Sequence, residues 1–250
     1  MGLLSNKVAL ITGASRGIGA ATAKLFAGNG AAVAVNYVNN KDAADAVVTE
    51  ISQNGGKAEA FQANAANHEE VKAMVTQVEQ SLGPIEILVL NASITFPIMP
   101  FVEFEWDGFE KKLTDELKAS FFPCKEVVPG MIERQSGAII AVSSGLSRQP
   151  GPGFIAHSTA KSGLDSFAKS LAMELGPSGI RVNVIAPGLT ETDATAFQPE
   201  EMKNMIKVNT PLRRLGQPDD IAGAILMLAS DHSQFISGTY TPVCGGIQME

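Results

Sequence analysis

The sequence predicts an α/β protein built on one doubly wound parallel sheet of about seven strands, with helices on both faces. Short β-branched segments alternate with longer helical segments through the first hundred residues, which is typical of βαβ units. Five of the strand segments, 8–12, 32–37, 87–90, 137–144 and 180–187, are apolar nearly throughout, as expected when helices cover both faces of a sheet. No repeat, low-complexity tract or polar linker divides the chain, so its 250 residues are predicted to form one domain, 1–250.

The order of the elements follows from periodicity and from Gly and Pro clusters at the ends of segments. Six segments read as strands: 8–12, 32–37, 57–63, 87–90, 137–144 and 180–187. One helix follows the first strand, and apolar residues at three-and-four spacing predict five more helices at 41–54, 67–82, 109–134, 154–177 and 218–229. The less regular segments are 93–108, 145–153 and 188–217. Loops at the carboxyl ends of parallel strands build the site in such sheets, so we expect the site there.

Charge and cysteine content exclude several classes of protein. The net charge is -7 and no basic run is present, so nucleic acid and anionic membranes are not expected partners. Cys124 and Cys244 stand alone, without the spacing of a metal site, so no metal is expected and a reducing compartment is favoured. No apolar run approaches the roughly 18 residues of a membrane span, and no secretion signal is recognisable. The sequence therefore predicts a cytoplasmic protein.

The clearest chemical signal is TGASRGIG, Thr12 to Gly19, which follows the first strand and opens a helix. Gly13, Gly17 and Gly19 would let the backbone approach a pyrophosphate, and a helix N-terminus offers unpaired N–H groups with a partial positive charge. The spacing is GxxxGxG, and its place at the first strand-to-helix junction predicts a dinucleotide site.

The choice of dinucleotide depends on the end of the second strand. An acidic residue there would bind a ribose 2′-hydroxyl and repel a 2′-phosphate. This chain has Asn36 and Tyr37 at that place, and Arg16 in the glycine-rich turn can pair with the extra phosphate. The sequence therefore favours NADP(H) over NAD(H).

From about residue 6 to residue 247 the chain resembles the short-chain dehydrogenase/reductase family, most closely its 3-oxoacyl-carrier-protein reductase-like branch. TGASRGIG matches the cofactor turn of that family, NAS at 91–93 stands for its usual NAG, and IRVNVIAPGLTET at 180–192 matches the segment around the nicotinamide. The resemblance implies a Rossmann-type fold and reduction of a ketone or aldehyde to an alcohol. It also implies further cofactor contacts by Ser15, Ile18, Asn64, Ala65, Asn91, Ala92, Pro187, Gly188, Thr190 and Thr192.

The catalytic positions implied by the resemblance are altered in this chain. The family has a serine, a tyrosine 13 positions later and a lysine 4 positions after that. Ser144 and Lys161 keep this register, but the tyrosine position holds His157. The family's asparagine on the preceding helix aligns with Glu116, although Asp115 is a near neighbour. The expected catalytic set is Ser144, His157, Lys161 and Glu116.

Three interpretations of this set stay open. His157 can donate the proton to the developing alkoxide, directly or through a water, although imidazole is shorter than phenol by on the order of 2 Å. Lys161, at i+4, should depress the pKa of His157, and Glu116 would offset that effect. Alternatively, the chain binds NADP(H) as a sensor or assembly partner with a weakened site. Ser144, His157 and Glu116 are also formally a hydrolytic set, but Ser144 lies on no GxSxG elbow.

Two expectations concern the substrate and the assembly. The segment 96–106 is rich in Phe, Met and Trp, which indicates an apolar or aromatic wall, a buried lid or a subunit contact. The apolar helices at 109–134 and 154–177 resemble those that form contacts between subunits in the family. We therefore expect a homotetramer.

Overall fold

A computed structural model describes residues 2–249 and contains one parallel sheet of seven strands. The spatial order is β3-β2-β1-β4-β5-β6-β7, so the sheet grows outward in both directions from β1 and β4. The predicted Rossmann-type class is therefore confirmed. Ligands bind to such a sheet in the crevice where the strand order reverses. The strands are β1 (Val8–Ile11), β2 (Ala32–Tyr37), β3 (Lys57–Gln62), β4 (Ile87–Leu90), β5 (Gly137–Val142), β6 (Ile180–Pro187) and β7 (Tyr240–Val243).

Helices cover both faces of the sheet and divide the core into two apolar layers. Phe26, Val47 and Ile225 pack in one layer, and Val75, Val127 and Leu164 pack in the other. The first layer lies under α1 (Gly17–Gly28), α2 (Lys41–Gln53) and α7 (Pro218–Ala229). The second lies under α3 (His68–Ser81), α4 (Trp106–Arg134) and α5 (Ile155–Leu175). Because both faces are covered, β1, β2, β4, β5 and β6 are buried nearly throughout, as their sequences predicted.

Two elements were not identified from the sequence. The helix α6 (Glu200–Asn209) lies in the segment expected to be irregular, and none of its ten described residues is buried. Strand β7 has a half-buried pattern at the edge of the sheet and contains Pro242, which weakens any strand pattern. The hydrophobic pattern of the sequence does not reveal either element, because neither has a face fully buried in the core.

One buried polar side chain fixes the turn after β1. Asn36 on β2 is completely buried; its Oδ1 accepts a hydrogen bond from Gly13 N at 3.0 Å, and its Nδ2 donates to Ala63 O at 2.9 Å. On the other side, Thr12 Oγ1 accepts hydrogen bonds from the backbone N–H groups of Asn91 and Ala92, both at 3.0 Å. These bonds join the carboxyl ends of β1, β2 and β4, so the crevice edge is rigidly built.

No helix within residues 2–249 is both long and apolar enough to cross a bilayer.

Replacing Asn36 with Ala is expected to destabilise the protein, because it leaves the Gly13 N–H and the Ala63 carbonyl without partners. The free energy of unfolding should fall by about 2–3 kcal/mol in urea titrations. Gln53→Ala, an exposed change at the end of α2, is the control and should stay within about 0.5 kcal/mol of the parent. Equal stability of the two variants would contradict the supporting role of Asn36.

Candidate active site

The glycine-rich turn has a backbone that only glycine accommodates at its three defining positions. Gly13 has φ +62° and Gly17 has φ +55°, both in the left-handed region. A Cβ at Gly19 would lie 2.5 Å from Gly13 O and 2.6 Å from Asn91 Nδ2, closer than real contacts allow. The turn therefore presents bare backbone to the crevice, a form that suits the close approach of a phosphate.

The N-terminus of α1 is open to an anion. Arg16 is its N-cap residue, is exposed, and no side chain among the described residues caps the helix there. The first turn of α1 also contains no acidic residue. A helix N-terminus with uncapped N–H groups and no competing carboxylate binds phosphate readily. These features fit the pyrophosphate of a dinucleotide.

The other expected cofactor residues lie around this turn. Asn91 Nδ2 donates to Thr12 O at 2.9 Å and to Gly13 O at 3.0 Å, so its side chain holds the turn from the β4 side. Tyr37 and Ala65 are buried, whereas Asn64 is exposed at the end of β3. The amide of Asn36 is occupied by Gly13 and Ala63, so this side chain supports the turn from below.

The segment after β6 reaches back over the glycine-rich turn. A Cβ at Gly17 would lie 3.4 Å from Thr192 Cγ2, so Thr192 stands over the start of α1. Gly188 N donates to Val243 O at 3.1 Å, and the buried Thr190 donates its hydroxyl to Gly188 O at 3.1 Å. Pro187 ends β6 at the same edge. The expected nicotinamide segment therefore lies at the crevice.

Glu116 and Lys161 meet inside the protein at this edge of the sheet. Lys161 Nζ on α5 donates to Val142 O at the end of β5, at 2.8 Å, and lies 2.7 Å from Glu116 Oε1 on α4. The Glu116 side chain is 1% exposed and that of Lys161 is 4% exposed. The alignment of Glu116 with the catalytic set is consistent with this contact, whereas Asp115 pairs with Lys111 on the exposed side of α4.

A second buried lysine was missed from the sequence. Lys112 Nζ lies 2.6 Å from Glu116 Oε2, donates to Ile94 O at 2.6 Å and contacts Ser93 Oγ at 3.3 Å. The only signal was the i,i+4 spacing of Lys112 and Glu116. Lys111 and Asp115 have the same spacing one residue earlier, so the spacing alone does not show which pair is buried.

The ionisation of Glu116 follows from its two lysines. Burial alone would raise the pKa of this carboxyl, but Lys161 and Lys112, aided by the Ile94 N–H, lower it to about 2. The pKa of Lys112 moves down to about 8, chiefly because burial penalises the ammonium, and Glu116 opposes that shift. At neutral pH Glu116 is therefore a carboxylate, and Lys112 is still largely protonated.

His157 lies beside this cluster under an aromatic cover. Its ring stacks on Phe96 with centroids 4.6 Å apart and an interplanar angle of 17°. Its Nδ1 atom is enclosed and has no hydrogen-bond partner among residues 2–249. The pKa of His157 falls to about 3, through burial first and then through Lys161 and Lys112. Glu116 acts in the expected direction, since it raises the pKa of His157 and contacts Lys161, but burial and the two lysines outweigh it.

Ser144 lies at the end of β5, where its Oγ accepts a hydrogen bond from Leu146 N at 3.2 Å. No hydrogen bond links Ser144 to His157 within residues 2–249, and Glu116 contacts lysines rather than the imidazole. A hydrolytic triad needs both of those links. The geometry therefore does not support the hydrolytic interpretation.

Known proteins are similar to this chain over nearly its whole length. A family model described as enoyl-(acyl carrier protein) reductase matches residues 13–248. A 3-oxoacyl-(acyl-carrier-protein) reductase FabG of Staphylococcus epidermidis is 40% identical over 246 residues, which cover 98% of this chain and 100% of the relative. The FabG of Staphylococcus aureus strain Mu50 is 41% identical over 97% of this chain and 98% of its own length. A 3-oxoacyl-(acyl-carrier-protein) reductase of Synechocystis is 39% identical over the whole of both chains. The chain belongs to the short-chain dehydrogenase/reductase family of oxidoreductases.

Proposed function

We propose that this chain is an NADP(H)-dependent oxidoreductase that interconverts a ketone or aldehyde with the corresponding alcohol, using His157 to exchange the proton. One observation carries the proposal. The open glycine-rich turn and the cluster of Glu116, Lys161 and His157 lie at the carboxyl edge of the same sheet. A dinucleotide lying along that edge would bring its nicotinamide toward His157. The names of the similar reductases support a small acyl-type carbonyl substrate.

The residues around the turn fit NADP(H). Gly13, Gly17 and Gly19 with the N-terminus of α1 would hold the pyrophosphate, and Lys161 would hold the nicotinamide ribose. Arg16 is exposed at the start of α1, and β2 ends in Asn36 and Tyr37 without a carboxylate, which favours a 2′-phosphate. When bound, NADP(H) supplies or accepts the hydride.

The proton exchange depends on the ionisation of His157. With its pKa near 3, the imidazole is neutral at physiological pH. A neutral imidazole can accept the proton of an alcohol, so His157 is already in the protonation state that oxidation requires. Reduction runs the same step backward and needs the imidazolium first. The Ser144 hydroxyl would hydrogen-bond the carbonyl oxygen of the substrate, since Ser144 lies at the same end of β5 that holds the Lys161 side chain.

The substrate wall is apolar. Phe101 and Val102 before α4 and Trp106 at its first position are exposed, and Phe96 stacks on His157. Exposed apolar side chains on the same segment as Phe96 favour an apolar or aromatic carbonyl compound. We also propose a cytoplasmic homotetramer with α4 in a subunit contact, because Phe121 on that helix is 48% exposed.

A second candidate is a protein that binds NADP(H) as a sensor or assembly partner with little turnover. The low pKa of His157 favours it, because a neutral imidazole is a poor acid for reduction. This candidate requires tight NADPH binding and negligible rates in both directions. It also requires that His157→Tyr increase the activity, because the variant restores the phenol that the family uses.

Reversing the charge at Arg16 tests the choice of cofactor. Arg16→Glu should weaken NADPH binding by about 10- to 100-fold while leaving NADH binding within about twofold, because only the 2′-phosphate is lost as a partner. The measurement is a fluorescence titration with each dinucleotide. Lys57→Glu makes the same charge change at the opposite edge of the sheet, where β3 begins, and should affect neither affinity. Equal losses for the two dinucleotides would contradict the assignment of NADP(H).

The pH dependence of the two directions tests the role of His157. Above a pKa of about 3 the imidazolium fraction falls with rising pH. The kcat/KM of reduction should therefore fall about tenfold per pH unit between pH 6 and 8. Titration of His157 should leave the kcat/KM of oxidation constant over the same range.

The matched variants are His157→Tyr, which should abolish that slope in reduction, and His232→Gln, which should keep it. Rates are followed by NADPH absorbance across a panel of apolar ketones and aldehydes and their alcohols. Faster reduction by His157→Tyr at every pH would favour the weakened-site candidate.

A further inference from the structure

Lys112 is a buried lysine that does not face the substrate. Its side chain is 1% exposed, and its ammonium group has three N–H donors. All three have acceptors inside the protein: Glu116 Oε2, Ile94 O and Ser93 Oγ. Since no donor remains for a ligand, Lys112 can act on the reaction only through the groups that it holds and through its charge.

Lys112 is also not needed to neutralise Glu116. Lys161 lies 2.7 Å from the other oxygen of the same carboxylate, so the pair Lys161 and Glu116 is already balanced in charge. Adding Lys112 leaves a surplus positive charge in a desolvated place, which opposes folding. A group that opposes folding and contacts no solvent calls for a functional explanation.

The contacts of Lys112 lead to His157. From α4 its ammonium group holds Ile94 O and lies 4.9 Å from the centroid of the Phe96 ring. The Phe96 ring in turn stacks on the His157 ring at 4.6 Å. The segment 93–96 after β4 is thus tied to α4 at one end and covers the imidazole on α5 at the other.

We propose that Lys112 is a positioning residue of the active site, which ties the segment 93–96 to α4 and so holds Phe96 against the imidazole of His157. The inference rests on the proposed function, because it assigns Lys112 to the proton exchange at His157. An imidazole is shorter than the usual phenol by on the order of 2 Å, so its placement tolerates little error. The stacked Phe96 ring supports one face of the imidazole.

Lys112 has an electrostatic effect on the same ring. The titratable groups that act on His157 are Lys161, Lys112 and Glu116, and the two lysines oppose the imidazolium while Glu116 favours it. Lys112 therefore helps to keep the ring in the neutral form that accepts a proton. Removing Lys112 and removing the charge of Glu116 must shift the His157 titration in opposite directions.

The test is Lys112→Met, with Lys111→Met as the matched control on the same helix. Lys111 also pairs with a carboxylate at i+4, but its side chain is 72% exposed. Lys112→Met should lower kcat/KM for alcohol oxidation by about 10- to 100-fold and leave the Kd for NADPH unchanged. Its thermal midpoint should be equal to or above that of the parent, because the surplus charge is gone. Lys111→Met should change none of these quantities.

A readout without substrate separates this proposal from the proposed function. In protein labelled with 15N-histidine, the His157 resonance should titrate at higher pH in Lys112→Met, and Glu116→Gln should not raise it. The variant Phe96→Leu keeps the lysine and removes the ring, and should reproduce the loss of kcat/KM.

Absence of turnover in the parent on every carbonyl and alcohol would overturn the proposed function, while the His157 titration would still test Lys112. A lower thermal midpoint in Lys112→Met together with an unmoved His157 titration would overturn the positioning role. The same conclusion would follow if Lys112→Met and Lys111→Met lost equal activity.

Discussion

The candidate active site depends on one carboxylate held between two lysines in the interior. Glu116 contacts Lys112 at 2.6 Å and Lys161 at 2.7 Å, and its side chain is 1% exposed. Burying an ion is expensive unless it is paired and hydrogen-bonded, so this carboxylate fixes both ammonium groups in place. Lys161 in turn is anchored to the end of β5, and Lys112 to the segment after β4. Two helices and two strand ends therefore meet at Glu116.

The charge of this cluster decides what the histidine can do. In the family pattern a lysine helps a phenol to lose its proton, since the cation favours the phenolate. The same lysine beside an imidazole disfavours the charged form, and Lys112 adds to that effect. In the proposed site the resting state at physiological pH is therefore a neutral base, where the family pattern has a protonated acid. Burial under Phe96 strengthens this outcome by removing water from the ring.

The glycine-rich turn is held separately from the cluster of Glu116, Lys161 and His157. Asn36 on β2 and Asn91 after β4 hydrogen-bond the backbone of the turn, and Thr12 within the turn accepts a hydrogen bond from the Asn91 N–H. None of these bonds involves Glu116, Lys161 or His157. Substitutions in the cluster can therefore accumulate while the turn keeps its form, because the contacts that hold the turn do not pass through the cluster.

The sequence by itself determined the sheet and the turn, because periodicity and turn chemistry are local properties. The register of Ser144, His157 and Lys161 came from the resemblance to the family. The sequence did not show α6 or β7, whose faces are not buried in the core. It also did not distinguish Lys112 with Glu116 from Lys111 with Asp115, which have the same spacing. Only the tertiary structure decided which pair is buried and how strongly the pKa of His157 is lowered, because desolvation and charge contacts arise from segments distant in sequence.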